Sequence, residues 1–299
     1  MSNQRDFLGS FQLVRLIRSG TTTQVWEALR QDGRERERLA IKVLNRECRN
    51  DKTEIGYLHH EANVGITLDH PNIIKIYGFH NLYKLPFLSM QLFNARNLKI
   101  EMRERPKEIA INLPGIIRKA AEGIRHLHEK GWIHCDIKPD NFLADEQGSV
   151  KLIDFSIAEK PGKKGGLAGL LPGFKSKKKI RGTRSYMAPE QIQGKAMDER
   201  SDIYSFGCVL FELLAGRSPY SATNPNELLN KHISAPVPNL LSVSGATRDL
   251  CDLVSRMMSK KPQDRPQTIT DFMFEFSEMA VFRAGKRPVG LVRDSGTQQ

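Results

Sequence analysis

The chain has 299 residues, 39% hydrophobic and 27% charged, which excludes intrinsic disorder and is long enough for two cores. Its most apolar run, "FGCVLFELLAG", is interrupted by Glu212 and is too short to span a bilayer, and the opening "MSNQRDFLGS" lacks the apolar heart of an export signal. The net charge is +12, yet nine basic residues and no acid lie between Lys160 and Arg184, so most of the basicity belongs to one segment. The four cysteines are scattered without CxxC or zinc spacing, and a reducing cytoplasm with four free thiols is expected.

In chain order, residues 1–10 read as a short leading segment. From Phe11 to Leu44, "FQLVRLI", "QVWEALR" and "RLAIKVL" are short runs rich in β-branched and aromatic residues, which predict an antiparallel meander. A helix is expected around "GYLHHEANVGITL", ending before Pro71, and two more strands at "IIKIYGF" and "PFLSMQLF". The pattern then turns helical. "LPGIIRKAAEGIRHLHEKG" places Ile116, Ile117, Ala120, Ala121, Ile124 and Leu127 on one stripe, with Gly131 as a stop. Two short strands, "NFLAD" and "VKLIDF", flank the turn "EQGS", and three further helical stretches lead to a tail, 283–299, expected to be flexible. The expected organisation is α+β: a β-rich lobe, 11–93, and a mainly helical lobe, 94–282.

Between the long helix and the short strands stands "GWIHCDIKPDNFL", which gathers Asp136, Lys138 and Asn141. Taken in order with "AIKVL" at Lys42, Glu61, "DFS" at Asp154 and "MAPE" ending at Glu190, it resembles the eukaryotic-type (Hanks-type) serine/threonine protein kinases, with a bacterial-like cast, from about Phe11 to Phe282. The resemblance implies the bilobal protein kinase fold, ATP, magnesium (or manganese) and protein substrates. Phosphoryl transfer needs charged phosphates held, neutralised and aimed. Lys42 would hold the α- and β-phosphates, with Glu61 keeping it extended. Asp136 would take or orient the substrate proton, Lys138 would balance charge, and Asn141 and Asp154 would bind the metal. Ile17, Gly20, Val25, Ala40, Met90, Gln91, Phe93 and Leu143 would surround the nucleotide, with Met90 as gatekeeper and Gln91 to Phe93 as hinge. Asp202 would anchor the catalytic loop, Glu190 would pair with Arg265, and Thr183 would bridge Asp136 and Lys138.

Three motifs and one helix position depart from the family pattern. The glycine-rich loop reads "RSGTTTQV", with Arg18 and Thr23 in place of glycines, which predicts weaker ATP binding. Ser156 replaces the glycine of the magnesium motif, and Gly65 stands where a bulky apolar residue is usual, suggesting a loosely held helix. Cys135 replaces an arginine that receives a phosphorylated activation loop; it is a small packing substitute or a redox-sensitive thiol. The basic insertion within 160–184 is either a solvated loop or an attractor of acidic protein substrates. With Phe174 its one interleaved aromatic, nucleic acid is not expected. The alternative to an active enzyme is a pseudokinase, a nucleotide-binding scaffold without transfer. Substrate and oligomeric state stay open at this level.

Overall fold

The computed structural model describes residues 7–32, 35–162 and 183–284. The basic residues from Lys163 to Arg181, Ser176 and the tail beyond residue 284 lie outside the described residues. The chain divides into two compact units, one of Met1–Asn94 with Ile153–Ile157, the other of Ala95–Leu152 with Ala158–Gln299.

The first unit is built on β1 (Phe7–Leu8), β2 (Phe11–Ser19), β3 (Thr23–Asp32), β4 (Glu35–Leu44), α1 (Lys52–Gly65), β5 (Ile76–Leu82) and β6 (Leu85–Gln91). The strands form one antiparallel sheet in the order β1-β2-β3-β4-β6-β5. The period of two along β4 sends Leu39, Ile41 and Val43 into a core with Phe11, Ala28 and Phe87, and turns Ala40 and Lys42 to the other face. The connection from β5 to β6 is a two-residue hairpin turn, which asks a left-handed φ of both residues; Tyr83 (52°) and Lys84 (62°) supply it without glycine. Asp51 caps α1 by accepting from the Thr53 N–H at 2.7 Å, and Leu58, Glu61, Ala62 and Gly65 form its buried stripe.

The second unit contains β7 (Arg96–Asn97), α2 (Leu98–Glu104), α3 (Pro106–Glu129), β8 (Phe142–Ala144), β9 (Val150–Leu152), α4 (Pro189–Ile192), α5 (Glu199–Ala215), α6 (Pro225–Ser234), α7 (Arg248–Met257) and α8 (Ile269–Ser277). The small sheet runs β7-β8-β9, with Phe142 opposite Leu152. α3 begins at Pro106, a turn and more before the stretch read as helical, and continues through Pro114. Proline suits the first turn at 106; at 114 it removes one ladder bond, a loss the apolar stripe from Ile109 to Leu127 outweighs by burial. α5 is the core of the unit. Every residue from Ser201 to Leu214 is buried, and the helix ends on Gly216 with φ 70°. Among the described residues no helix is long and apolar enough to cross a membrane.

Candidate active site

Strand register decides which side chains of the first unit share a face. Val25 lies opposite Lys42, and Ala40 opposite both Glu27 and Met90, so Val25, Ala40, Lys42 and Met90 project from the same side of the sheet. Gln91 ends β6 opposite Leu39, and its N–H donates to the Lys75 carbonyl at 2.8 Å. Phe93 follows, half-buried; Ile17 on β2 is 44% exposed. Gly20 opens the β2–β3 turn, its N–H donating to the Thr23 carbonyl at 2.8 Å.

Lys42 Nζ donates to Glu61 at 2.6 Å and stands 3.5 Å from Asp154 Oδ1. Glu61 can reach it because the α1 stripe faces inward there. Burial alone would lower the Lys42 ammonium, but the Asp154 and Glu61 carboxylates outweigh it and hold the lysine above its ordinary range, hence charged. Burial pushes the Glu61 carboxyl upward, with Lys42 opposing. Asp154 has a left-handed φ of 68° and accepts from the Ser156 N–H at 3.4 Å, while Phe155 beside it is fully buried.

In the second unit the Asp136 carboxylate has three donors. Lys138 Nζ lies 2.5 Å from Oδ2, the Thr183 N–H donates to Oδ1 at 2.9 Å, and Asn141 Nδ2 stands 3.3 Å from Oδ2 and 2.8 Å from the Asp136 carbonyl. Lys138 also donates to Thr183 Oγ1 at 2.8 Å, closing the ring. Behind this ring, the buried Asp202 of α5 accepts from the His134 N–H at 2.7 Å and the Cys135 N–H at 3.0 Å, and His128 Nε2 of α3 lies 2.9 Å away. Burial would raise the Asp202 carboxyl; the bonds from His128 and His134 win and hold it below the usual carboxylate range. Gln191 Nε2 donates to the Cys135 carbonyl at 2.8 Å, so both backbone groups of Cys135 are tied. Arg265 grips Glu190 with two bonds, 2.7 and 2.9 Å, and Ser201 Oγ adds a third at 2.7 Å. Leu143 lies half-buried on β8, opposite Asn97 and Lys151.

Two sequence expectations change. Gly65 is no mid-helix weakness but the last residue of α1, and a Cβ there would lie 2.2 Å from Ile76 Cδ1. Glycine fits because the Ile76 side chain of β5 fills the space a Cβ would need; the notion of a loosely held helix is replaced by one of tight packing. Cys135 is buried, with φ 67°, and burial together with the Asp202 and Glu159 charges pushes its thiol well above the ordinary range. A suppressed thiolate is a poor redox centre, so the packing reading stands.

Other residues of this region carried no sequence signal. Glu212 of α5 is buried between Tyr186 Oη, which donates at 2.5 Å, and Lys99 Nζ. Asn45, just after β4, binds the β2–β3 turn. His128 reads as one more residue of an amphipathic helix.

Residues 11–275 match the protein kinase domain, and the chain belongs to that family. It is 30% identical over 268 residues to the serine/threonine-protein kinase PrkC of Bacillus subtilis, with 88% of this chain and 39% of that protein aligned. It is 28% identical over 274 residues to the probable serine/threonine-protein kinase PknB of Bifidobacterium longum, with 88% and 39% aligned. The serine/threonine-protein kinase PknB of Mycobacterium tuberculosis is 27% identical over 266 residues, with 87% and 41% aligned. The chain therefore spans about two-fifths of the length of these relatives.

Proposed function

We propose that the chain is a serine/threonine protein kinase, moving the γ-phosphoryl group of ATP to Ser or Thr hydroxyls of proteins with magnesium (or manganese) as cofactor. The observation that carries this reading is the Asp136 carboxylate, held by Lys138, Asn141 and the Thr183 N–H. An aspartate so oriented, with an ammonium 2.5 Å away, is arranged to align a hydroxyl and take its proton while positive charge is at hand. Thr183 fixes the geometry from the segment that follows the basic insertion. Lys42, kept cationic by its two carboxylates, serves as the phosphate-binding charge, and Glu61 limits where its ammonium can go.

The residues present suit magnesium. Within the second unit Asn141 directs its Nδ2 at Asp136, which leaves Oδ1 as an oxygen ligand, and within the first unit Asp154 is a carboxylate; each is an oxygen type that a hard ion takes beside phosphate and water. A magnesium ion held by such oxygens would neutralise phosphate charge and lower the cost of its transfer. Among the described residues no cluster of three His, Cys, Asp or Glu side chains forms a separate metal site.

Acidic proteins are the proposed substrates, on the sequence observation that nine basic residues and no acid lie between Lys160 and Arg184. The cytoplasm is the proposed compartment, from the cysteine pattern.

The test is incorporation of labelled γ-phosphate into the chain itself and into a generic protein substrate, beside Asp136→Asn and Lys42→Met controls. Signal in the wild type alone supports the reading. Equal signal in both controls marks contamination. None in any, with ATP still giving a magnesium-dependent thermal shift, favours the scaffold suggested by the altered glycine-rich loop.

A further inference from the structure

The β2–β3 hairpin lacks two of the three glycines that its family pattern calls for, yet three hydrogen bonds from one residue fix its turn. Asn45 is the first residue after β4 and three positions beyond Lys42. Its side-chain Nδ2 donates to the Gly20 carbonyl at 2.9 Å and to the Thr21 carbonyl at 3.0 Å, one bond for each hydrogen. Its backbone N–H donates to the Thr22 carbonyl at 2.7 Å. Three successive carbonyls of the turn therefore point at one asparagine. The amide orientation is unambiguous, because only the NH₂ end has acceptors; Asn45 Oδ1 is shielded from solvent and has no partner. A buried, unsatisfied amide oxygen is a cost, kept here for the sake of the two bonds at the other end.

The direction of the carbonyls fixes the direction of the amides. No peptide bond among the described residues is cis, and across a planar trans peptide the C=O of one residue and the N–H of the next point oppositely. With the carbonyls of Gly20, Thr21 and Thr22 drawn to Asn45, the N–H groups of Thr21, Thr22 and Thr23 face the other way. Among the described residues the N–H groups of Thr21 and Thr22 have no hydrogen-bond acceptor. Successive N–H groups on one side of a turn form an anion-binding concavity.

We propose that Asn45 is a positioning residue for the phosphates of the nucleotide: it clamps the β2–β3 turn so that the Thr21 and Thr22 amides are presented in a fixed arrangement. This rests on the nucleotide-binding reading above. The clamp answers the lost glycines physically. A glycine-rich turn closes onto phosphates by being free to move, whereas β-branched residues restrict that freedom, and a turn already held in place has less ordering entropy to lose on binding.

The experiment compares wild type with Asn45→Ala and Asn45→Asp. Aspartate keeps the size but replaces the donor end by a charged oxygen facing two carbonyls, so it should do worse than alanine. Calorimetry with ATP and magnesium, calorimetry with adenosine, steady-state KM and kcat for ATP, and amide hydrogen exchange over residues 18–24 are measured on each. The expected result is ATP affinity weakened on the order of tenfold in Asn45→Ala and further in Asn45→Asp. Adenosine affinity should hold, KM should rise with little change in kcat, and exchange at the turn should be faster in both variants without nucleotide. Equal ATP affinity in all three proteins overturns the proposal, whatever the exchange shows. An equal loss for adenosine also overturns it, since the effect is then not on the phosphates. A wild type that binds no nucleotide removes the underlying reading and the proposal with it, and is recognised by the wild-type titration alone.

Discussion

Around Asp136 the polar groups are backed by buried ones: Asp202 and His128 behind the loop backbone, Gln191 on the Cys135 carbonyl, and the Glu190–Arg265 pair at α4. Around Lys42 the charges are paired as firmly, but the turn between β2 and β3 is tied, among the described residues, only by the Gly20 to Thr23 backbone bond and one partly exposed asparagine. The departures from the family pattern sort accordingly. Arg18, near the end of β2, and Thr23, at the head of β3, flank the turn, where a substitution disturbs few partners; at the catalytic loop the exchange is Cys135, whose backbone, not its side chain, carries the structural bonds. Tolerance follows what the side chain itself holds.

The sharpest way to break this contrast is Asp136→Asn. Removing a general base costs typically 10²–10⁴ in rate, and kcat in a phosphate-transfer assay should fall by that order while thermal unfolding and ATP affinity barely move. Next comes the backing. Arg265→Met leaves the Glu190 carboxylate buried without its partner; breaking such a pair costs about 3–5 kcal/mol, to be read in denaturant unfolding, and Glu190→Gln together with Arg265→Met should recover part of it. In the first unit, Gly65→Ala sets a methyl against Ile76, and overpacking of that kind costs about 1–3 kcal/mol. Ile76→Val in the same chain, which removes the nearest carbon, should relieve part of it, which a helix weakened by other causes would not show.

The pH response separates the units further. His232 is fully buried beside Tyr204, and burial, with the Lys260 charge, lowers its pKa to about 4. A base whose folded pKa lies below its unfolded value near 6.5 is protonated first in the unfolded chain. Stability is therefore intact above that value and declines as pH falls from about 6.5 toward 4, by roughly 1.4 kcal/mol for each pKa unit of difference. His232→Gln should flatten the slope of melting temperature against pH in that window. The smallest effect belongs to the β2–β3 hairpin: Arg18→Gly with Thr23→Gly should strengthen ATP binding a few-fold, and no gain would mean the threonines serve the phosphates as well.

Much of this architecture was legible. Period-two runs marked the sheet, and the stripe from Ile116 to Leu127 marked the long helix. The order of Lys42, Glu61, Asp136, Asn141 and Asp154 carried the family. What escaped depends on neighbours remote in sequence. The glycine at 65 reads as a helix breaker until Ile76, eleven residues on, is seen against it. Asn45 reads as a strand terminator, since nothing in "KVLNRE" announces three carbonyls from a turn more than twenty residues earlier. Glu212 in an apolar run argues against a membrane span, but its bonds to Tyr186 and Lys99 are invisible without the fold.

Of the four thiols, Cys135, Cys208 and Cys251 are buried, and Cys48 is the one with partial access to solvent. Its N–H donates to the Asn45 carbonyl at 2.9 Å. A maleimide fluorophore should therefore attach at a single place in the native protein with no engineering of the sequence. That label would sit next to the asparagine that holds the turn, and a change in its emission on adding ATP would report the nucleotide binding proposed above.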